Sequence, residues 1–250
     1  SVIIAKNGKI VYENYFAGFN ATIPHDMRSA SKSISSAIVG VTIDNKLIKC
    51  TDQSIYEFLH KEYKKTKDSI KSKITIQSLL TMSSGLDAID FGTNANPKSH
   101  ATEDYYQMTM DWTKTILEAP MINQPFTHAN YGSANPHLLG VAVNSVVEEP
   151  LELFIDDNLF LPLGISNYII QSDRSGKPYF GGGMYLTPRD MLKFGQLYLN
   201  KGKWGNKRIL SKKWIKKSFK NYLNLENTSD KNGYGYLWWH HTYIINGKKI

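Results

Sequence analysis

"MRSASKSISSAIVGVTIDNKL", residues 27–47, sets five serines and two lysines among apolar residues at 30, 34, 37, 38 and 41, the spacing of a helix packed against a core. Within it, Ser29-Ala30-Ser31-Lys32 is an S-x-x-K, and the chain contains no other. Composition alone would produce about two such matches, so the tetrapeptide means little without its context. Three residues are close to one helical turn, which puts Ser29 and Lys32 on one face. At a helix start, the serine also lies in the positive potential of unpaired backbone N–H groups, which favours an alkoxide and a developing oxyanion. Ala30, Ser36, Ala37 and Gly40 suit a closely packed central helix, so Lys32 near its start is expected to be desolvated. The plainer alternative makes Ser29 a helix cap and Lys32 a surface cation.

A serine nucleophile needs a further acid or base. Of the four Tyr-x-[Asn/Ser] tripeptides, Tyr12 falls in a hairpin, Tyr198 in a helix and Tyr222 in a lysine-flanked loop. Tyr131 precedes Gly132 and Ser133 in a loop directly before a helix, where a phenol can project into a cleft; packing is the competing reading.

Outward from this segment, "SVIIAK", Asn7-Gly8 and "KIVYENYF" predict a hairpin. "ITIQSLLTMSSGL" predicts a short helix capped by Thr75 with Gly85 beyond its end, residues 87–110 read as loop, and "DWTKTILEAPM" predicts a helix ended by Pro120. "HLLGVAVNSVV" starts another helix, and a further one begins near Thr187 with Pro188 in its first position. Asn246-Gly247 predicts a second hairpin at the far end. Strands at both ends with helices between them predict an α+β fold whose antiparallel sheet is assembled from the two termini. The expected division is an α/β part over about 1–50 and 170–250 and a helical part over about 51–169.

A chain of 250 residues, 41% of them hydrophobic, can bury a full core. It has no apolar run long enough to span a membrane and no signal-peptide pattern. Its single cysteine, Cys50, excludes an internal disulfide and any C-x-x-C site, and is expected as a small buried apolar residue. The net charge of +8 is concentrated in lysine tracts from Lys61 and Lys201, expected as solvated faces. No stacking aromatics or nucleic-acid motif accompany them, so nucleic acid is not an expected partner. There is no H-E-x-x-H, and the mechanism calls for no metal or other cofactor.

Taken in order, "MRSASKS", "ITIQSLLTMSSGL", "DWTKTILEAPM", "YGSANPHLLGVAV", "LFLPLGI", "GGGMYLTPRDMLKFGQLYLNKGKW" and "YGYLWW" resemble the β-lactamase-related serine hydrolases over nearly the whole chain. That group includes class C β-lactamases, D-alanyl-D-alanine carboxypeptidases, esterases and the 6-aminohexanoate-dimer hydrolase. The resemblance implies a β-lactamase/transpeptidase-like fold in one domain, with Ser29 as nucleophile, Lys32 as its partner and Tyr131 as the tyrosine of the second motif. Ser133 takes the place of that motif's asparagine and is expected as a substrate-facing hydroxyl. The resemblance implies a small ester, amide or β-lactam substrate and a periplasmic or secreted location; it leaves the oligomeric state open. The family's K-T-G or H-x-G strand has no counterpart in residues 1–250, from which a chain lacking its C-terminal segment is expected. A penicillin-interactive enzyme and a catalytically inert binding module of the same fold stay as alternatives to an esterase or amidase.

The expected chemistry is an acyl-enzyme on Ser29, with the Ser29 N–H as one oxyanion donor. An ammonium about 4 Å away at an effective dielectric near 20 supplies roughly 4 kcal/mol, enough to bring a tyrosine from about 10 to about 7. A neutral Lys32 acting as base beside a neutral Tyr131 is the other microstate, and the sequence does not choose between them.

Overall fold

The computed structural model describes residues 1–230 and 232–249. Its first element is the hairpin of Val2–Lys6 (β1) and Lys9–Asn14 (β2), turned by Asn7 and Gly8, both at positive φ. His25–Asp26 (β3) leads through a 3-10 turn at Arg28–Ser31 into Lys32–Asp44 (α1). The helical segments Ile76–Leu80 (α2), Glu103–Tyr106 (α3), Trp112–Glu118 (α4) and Ala134–Val146 (α5) come next. Leu151–Ile155 (α6), a π turn and Leu161–Leu163 (α7) then lead to Tyr168–Ile170 (β4) and Met184–Leu186 (β5). Pro188–Leu199 (α8), the pair Lys203–Trp204 (β6) and Lys207–Arg208 (β7), and Lys212–Ser218 (α9) come after it. The last strands are Leu223–Asn224 (β8), Gly233–Tyr234 (β9), Trp239–His240 (β10), Ile244–Ile245 (β11) and Lys248–Lys249 (β12).

α1 is the structural centre. Residues Ile34 through Thr42 are buried on every side, which is how a helix enclosed by its neighbours differs from a surface helix. Two of the early serines tie the helix to carbonyls outside it. Ser33 Oγ donates to Leu237 O at 2.9 Å and Ser35 Oγ donates to Phe180 O at 3.0 Å, so two distant loops are fastened to the first turn. Gly40 is required by close approach: a Cβ there would stand 2.5 Å from the Trp214 indole nitrogen. One hydrophobic core runs from Ile34 to Leu237 and includes residues of α2, α4, α5 and α8.

Helix starts follow their caps. Thr75 Oγ1 accepts from Ser78 N while Ser78 Oγ accepts from Thr75 N, a reciprocal box that fixes the start of α2. Asp111 caps α4 and Thr187 caps α8, and Pro188 takes the first helical position of α8 as predicted. The stretch 87–110, expected as loop, contains the short helix α3, whose first N–H is taken by Asp90 Oδ1 at 3.0 Å.

The mixed helix-and-sheet class stands, but the single sheet expected from both termini is divided. β5 is the middle strand of a three-stranded sheet with β3 and β4, β9 is the middle strand between β8 and β10, and β1–β2, β6–β7 and β11–β12 are separate pairs. Both ends of the chain have other partners. Tyr236 N–H bonds Ser218 O and Leu237 N–H bonds Leu80 O, so the chain between β9 and β10 is bonded to neighbouring elements and bends at a left-handed Leu237. β1 packs instead on α8, and a bidentate pair of 2.7 Å contacts from Arg189 to Glu13 holds the hairpin there.

Cys50 is exposed rather than buried, because it follows α1 in the loop that turns toward α9. The lysine tracts are mostly solvated, with one exception: Lys71 is buried and its ammonium donates to Leu117 O at 2.6 Å. Among the described residues no helix is long and apolar enough to cross a membrane.

Candidate active site

Ser29 stands where β3 gives way to α1. Asp26 pairs with Tyr185, and Met27 N–H bonds Met184 O at 3.1 Å, so the approach to the serine is fixed on β5. Ser29 is exposed and lines a cavity of about 390 Å³ with Asp26, Arg28, Glu103, Gln107, Gly182 and Tyr185 among its walls. One turn along, Lys32 is 1% exposed. Its Nζ lies 2.9 Å from Ser29 Oγ and also donates to Gly181 O. An accessible hydroxyl therefore sits directly over a buried amine.

Burial brings Lys32 down from 10.5 to about 8, against the opposing influence of the Glu103 and Asp90 carboxylates. The amine is thus close to losing its proton near neutral pH, and a neutral amine can accept one from Ser29 while still donating to Gly181.

Tyr131 is 4% exposed, and its ring lies beneath the Lys32 ammonium with Nζ 5.0 Å from the centroid. Phe91 at 5.4 Å and Trp239 at 5.1 Å pack against it, with Tyr234 edge-on at 6.1 Å. Burial pushes its hydroxyl up to about 12, although hydrogen bonding from Ser29 and from the Trp239 indole favours the phenolate. The tyrosine lowered to about 7 by Lys32 is therefore not what this environment favours. Desolvation drives both groups toward their neutral forms, the lysine downward and the tyrosine upward.

The backbone of Tyr131 is held by a residue far along the chain. Asn227 Oδ1 accepts from Tyr131 N at 2.8 Å, while Asn227 Nδ2 donates to Tyr131 O and Phe91 O, both at 3.1 Å. Asp90 adds its own N–H to Tyr131 O and takes Ser133 N–H at 2.7 Å. Gly132 lets this loop lie on its neighbour, since a Cβ there would come within 1.8 Å of the Ala88 carbonyl oxygen. Gly132→Ala must displace that backbone, and an expected loss of about 2–3 kcal/mol in urea unfolding, with loss of turnover as the phenol shifts, checks this contact.

The structure brings Ser29, Lys32 and Tyr131 side by side. Ser133 is not placed as expected: it is 1% exposed, its hydroxyl has no partner among the described residues, and it does not line the cavity at Ser29. Its position just before α5, with its N–H committed to Asp90, turns it inward. Sequence reasoning missed Asn227, Asp90, the Gly181 carbonyl and the cavity wall of Glu103, whose Oε1 accepts from Tyr179 and from Gln107 Nε2. The triple glycine 181–183 was the one available signal: Gly182 lies against the serine turn, where a Cβ would stand 3.9 Å from Ser29 N. Among the described residues no group of three His, Cys, Asp or Glu is arranged to hold a metal.

This pairing of serine and buried lysine at the start of a central helix, in a mixed α+β fold, defines a protein of the β-lactamase/transpeptidase-like class. The sequence profile of the Beta-lactamase family matches residues 1–247, and the chain belongs to that family. Protein Rv1367c of Mycobacterium tuberculosis (strain ATCC 25618 / H37Rv) is 27% identical over 170 residues, 55% of this chain and 42% of that relative, so the chain spans less than half of its length. A candidate 6-aminohexanoate-dimer hydrolase from Bacillus anthracis superposes with a TM-score of 0.78 at 21% identity, covering 95% of this chain and 64% of that one. The octameric penicillin-binding protein homologue from Pyrococcus abyssi gives 0.73 at 18% identity over 99% of this chain and 61% of that one. EstCE1, a hydrolase with promiscuous acyltransferase activity, gives 0.74 at 16% identity over 95% of this chain and 76% of that one. These likenesses show the fold.

Proposed function

We propose that the protein is a serine hydrolase that cleaves esters or amides through an acyl-enzyme on Ser29. The observation that carries this reading is the 2.9 Å contact between the exposed Ser29 hydroxyl and the amine of a lysine buried to 1% exposure. Neutral Lys32 takes the Ser29 proton as the oxygen attacks the substrate carbonyl. The Ser29 N–H, at the start of the turn that leads into α1, receives the developing oxyanion. Tyr131, protonated across the working range, passes its proton to the leaving oxygen or nitrogen and recovers one from Lys32. Alcohol or amine departs, leaving the acyl group on Ser29. Water then attacks the acyl carbon as the same pair removes its proton, Ser29 Oγ is reprotonated, and the acid leaves.

The hydrolase names among the solved neighbours support this class, and the polar walls of the cavity suit a small ester or amide. Likeness to a penicillin-binding protein homologue keeps β-lactams within the class of acyl donors to be compared. A short-chain aryl ester and a chromogenic cephalosporin, run side by side on the protein and on Ser29→Ala, test the reading. Turnover of the ester in preference to the cephalosporin, abolished in Ser29→Ala, is expected. No turnover of either, with no fluorophosphonate adduct on Ser29, would overturn it.

A further inference from the structure

We propose that Asp26 is a positioning residue that holds the backbone before the nucleophile in a left-handed turn and so aims Ser29 at the cavity; the proposal rests on the hydrolase reading above. Arg28 has φ +47, a conformation that side-chain-bearing residues adopt at a cost and keep only where their surroundings enforce it. Arg28 opens the 3-10 turn that runs to Ser31, Met27 before it is right-handed with φ −77 and ψ −15, and neither Ser29, Ala30 nor Ser31 has positive φ, so the left-handed conformation falls on the single residue before Ser29. Asp26 grips that residue twice. Its Oδ1 accepts from Arg28 N at 2.9 Å, and its Oδ2 faces Arg28 Nε at 2.9 Å.

The two contacts differ in weight. The Arg28 side chain is 87% exposed, so its ion pair is screened by water and contributes little. The bond from the backbone N–H is the one that fixes the peptide entering the turn. Asp26 is itself locked through its pairing with Tyr185 on β5, so its grip is referenced to the sheet rather than to a loop. Strand β5 follows directly on the glycines that receive the Lys32 amine and face the Ser29 N–H. Strand, carboxylate, turn and nucleophile therefore form one chain of fixed parts. If the turn relaxed to negative φ, the peptide between Arg28 and Ser29 would rotate, carrying the Ser29 N–H and Oγ away from the cavity and from Lys32.

Glycine adopts positive φ without a side chain to clash, which gives the test. With a neutral aryl ester, Asp26→Ala is expected to lower kcat at least about tenfold with KM within about twofold, since a misplaced reacting group costs rate rather than binding. Asp26→Asn keeps an oxygen at Oδ1 and should retain most of kcat although the ion pair is gone. Adding Arg28→Gly to Asp26→Ala should restore kcat. Backbone carbon chemical shifts of residue 28 should report a left-handed conformation in the wild type, its loss in Asp26→Ala and its persistence in Asp26→Asn. The proposal is overturned if Asp26→Ala keeps wild-type kcat, if its residue-28 shifts do not move, or if Arg28→Gly leaves the loss in place. A wild-type protein that neither turns over the ester nor labels at Ser29 strikes the hydrolase reading instead, and the residue-28 shifts still decide whether Asp26 holds the turn.

Discussion

Lys32→Met is expected to lower kcat for ester hydrolysis by about 10³-fold, since it removes the amine proposed as the base, 2.9 Å from the Ser29 hydroxyl, while roughly keeping side-chain volume. Without an amine beneath it, Ser29 is an ordinary alcohol. The wild-type pH profile carries the same information. With Lys32 near 8, only about a tenth of the protein has the neutral amine at pH 7, so kcat/KM should rise roughly tenfold per pH unit below 8 and level off above it. The stability linkage has its own sign. Between about 8 and 10.5 the unfolded chain holds a proton on Lys32 that the folded chain has released, so this group's contribution makes the folded state more stable as pH rises through that window. Urea unfolding of wild type and Lys32→Met across pH 7–10 checks it: the difference between them should shift in favour of the wild type as pH increases.

Tyr131→Phe is expected to lower kcat by about 10²-fold for an alkyl ester or an amide and far less for a nitrophenyl ester. The ring keeps its packing against Phe91 and Trp239, so the fold is not the cause. What is lost is the hydroxyl, pushed up to about 12 and therefore protonated, that is proposed to hand a proton to the leaving group. An alkoxide or amide anion leaves poorly without that proton, whereas nitrophenolate leaves readily. Equal losses on both substrates would mean that Tyr131 acts on the attacking step instead.

Residues close together in sequence were the legible part of this site. Ser29 and Lys32 share a turn, and the apolar spacing from Ala30 to Val41 already says the lysine lies at the start of a buried helix. Tyr131 was reachable from its loop, its glycine and the helix behind it. The hydrogen bonds that hold Tyr131 were not, because Asn227 meets it from 96 residues away and nothing in "NLENTSD" marks an asparagine whose amide will serve both ends of another residue's backbone. Ser133 shows the opposite failure. Its place beside Tyr131 suggested a cleft-facing hydroxyl, but Asp90 takes its N–H and the start of α5 turns its side chain into the core.

The fold divides in the same way. The capped helices α2, α4 and α8 and the Asn-Gly hairpin follow from local chemistry, and they stand where that chemistry puts them. Sheet pairing is non-local. The terminal strands do not join: β1 packs on α8, while the donors of Tyr236 and Leu237 go to Ser218 and Leu80. Alternating patterns in the flanking strands carry no record of that choice. The exposure of Cys50 is similar, since it depends on how the loop after α1 lies against α9.

If the proposed chemistry holds, the reactivity of the hydroxyl at residue 29 depends on a buried, deprotonated amine at residue 32. The rate at which a fluorophosphonate probe phosphonylates the protein, followed by peptide mass mapping between pH 6 and 9, addresses it directly. A single adduct on Ser29 is expected, its rate of formation climbing with pH to a plateau above about 8 and collapsing in Lys32→Met. An adduct on another residue, or a rate on Ser29 indifferent to both pH and Lys32, would contradict it.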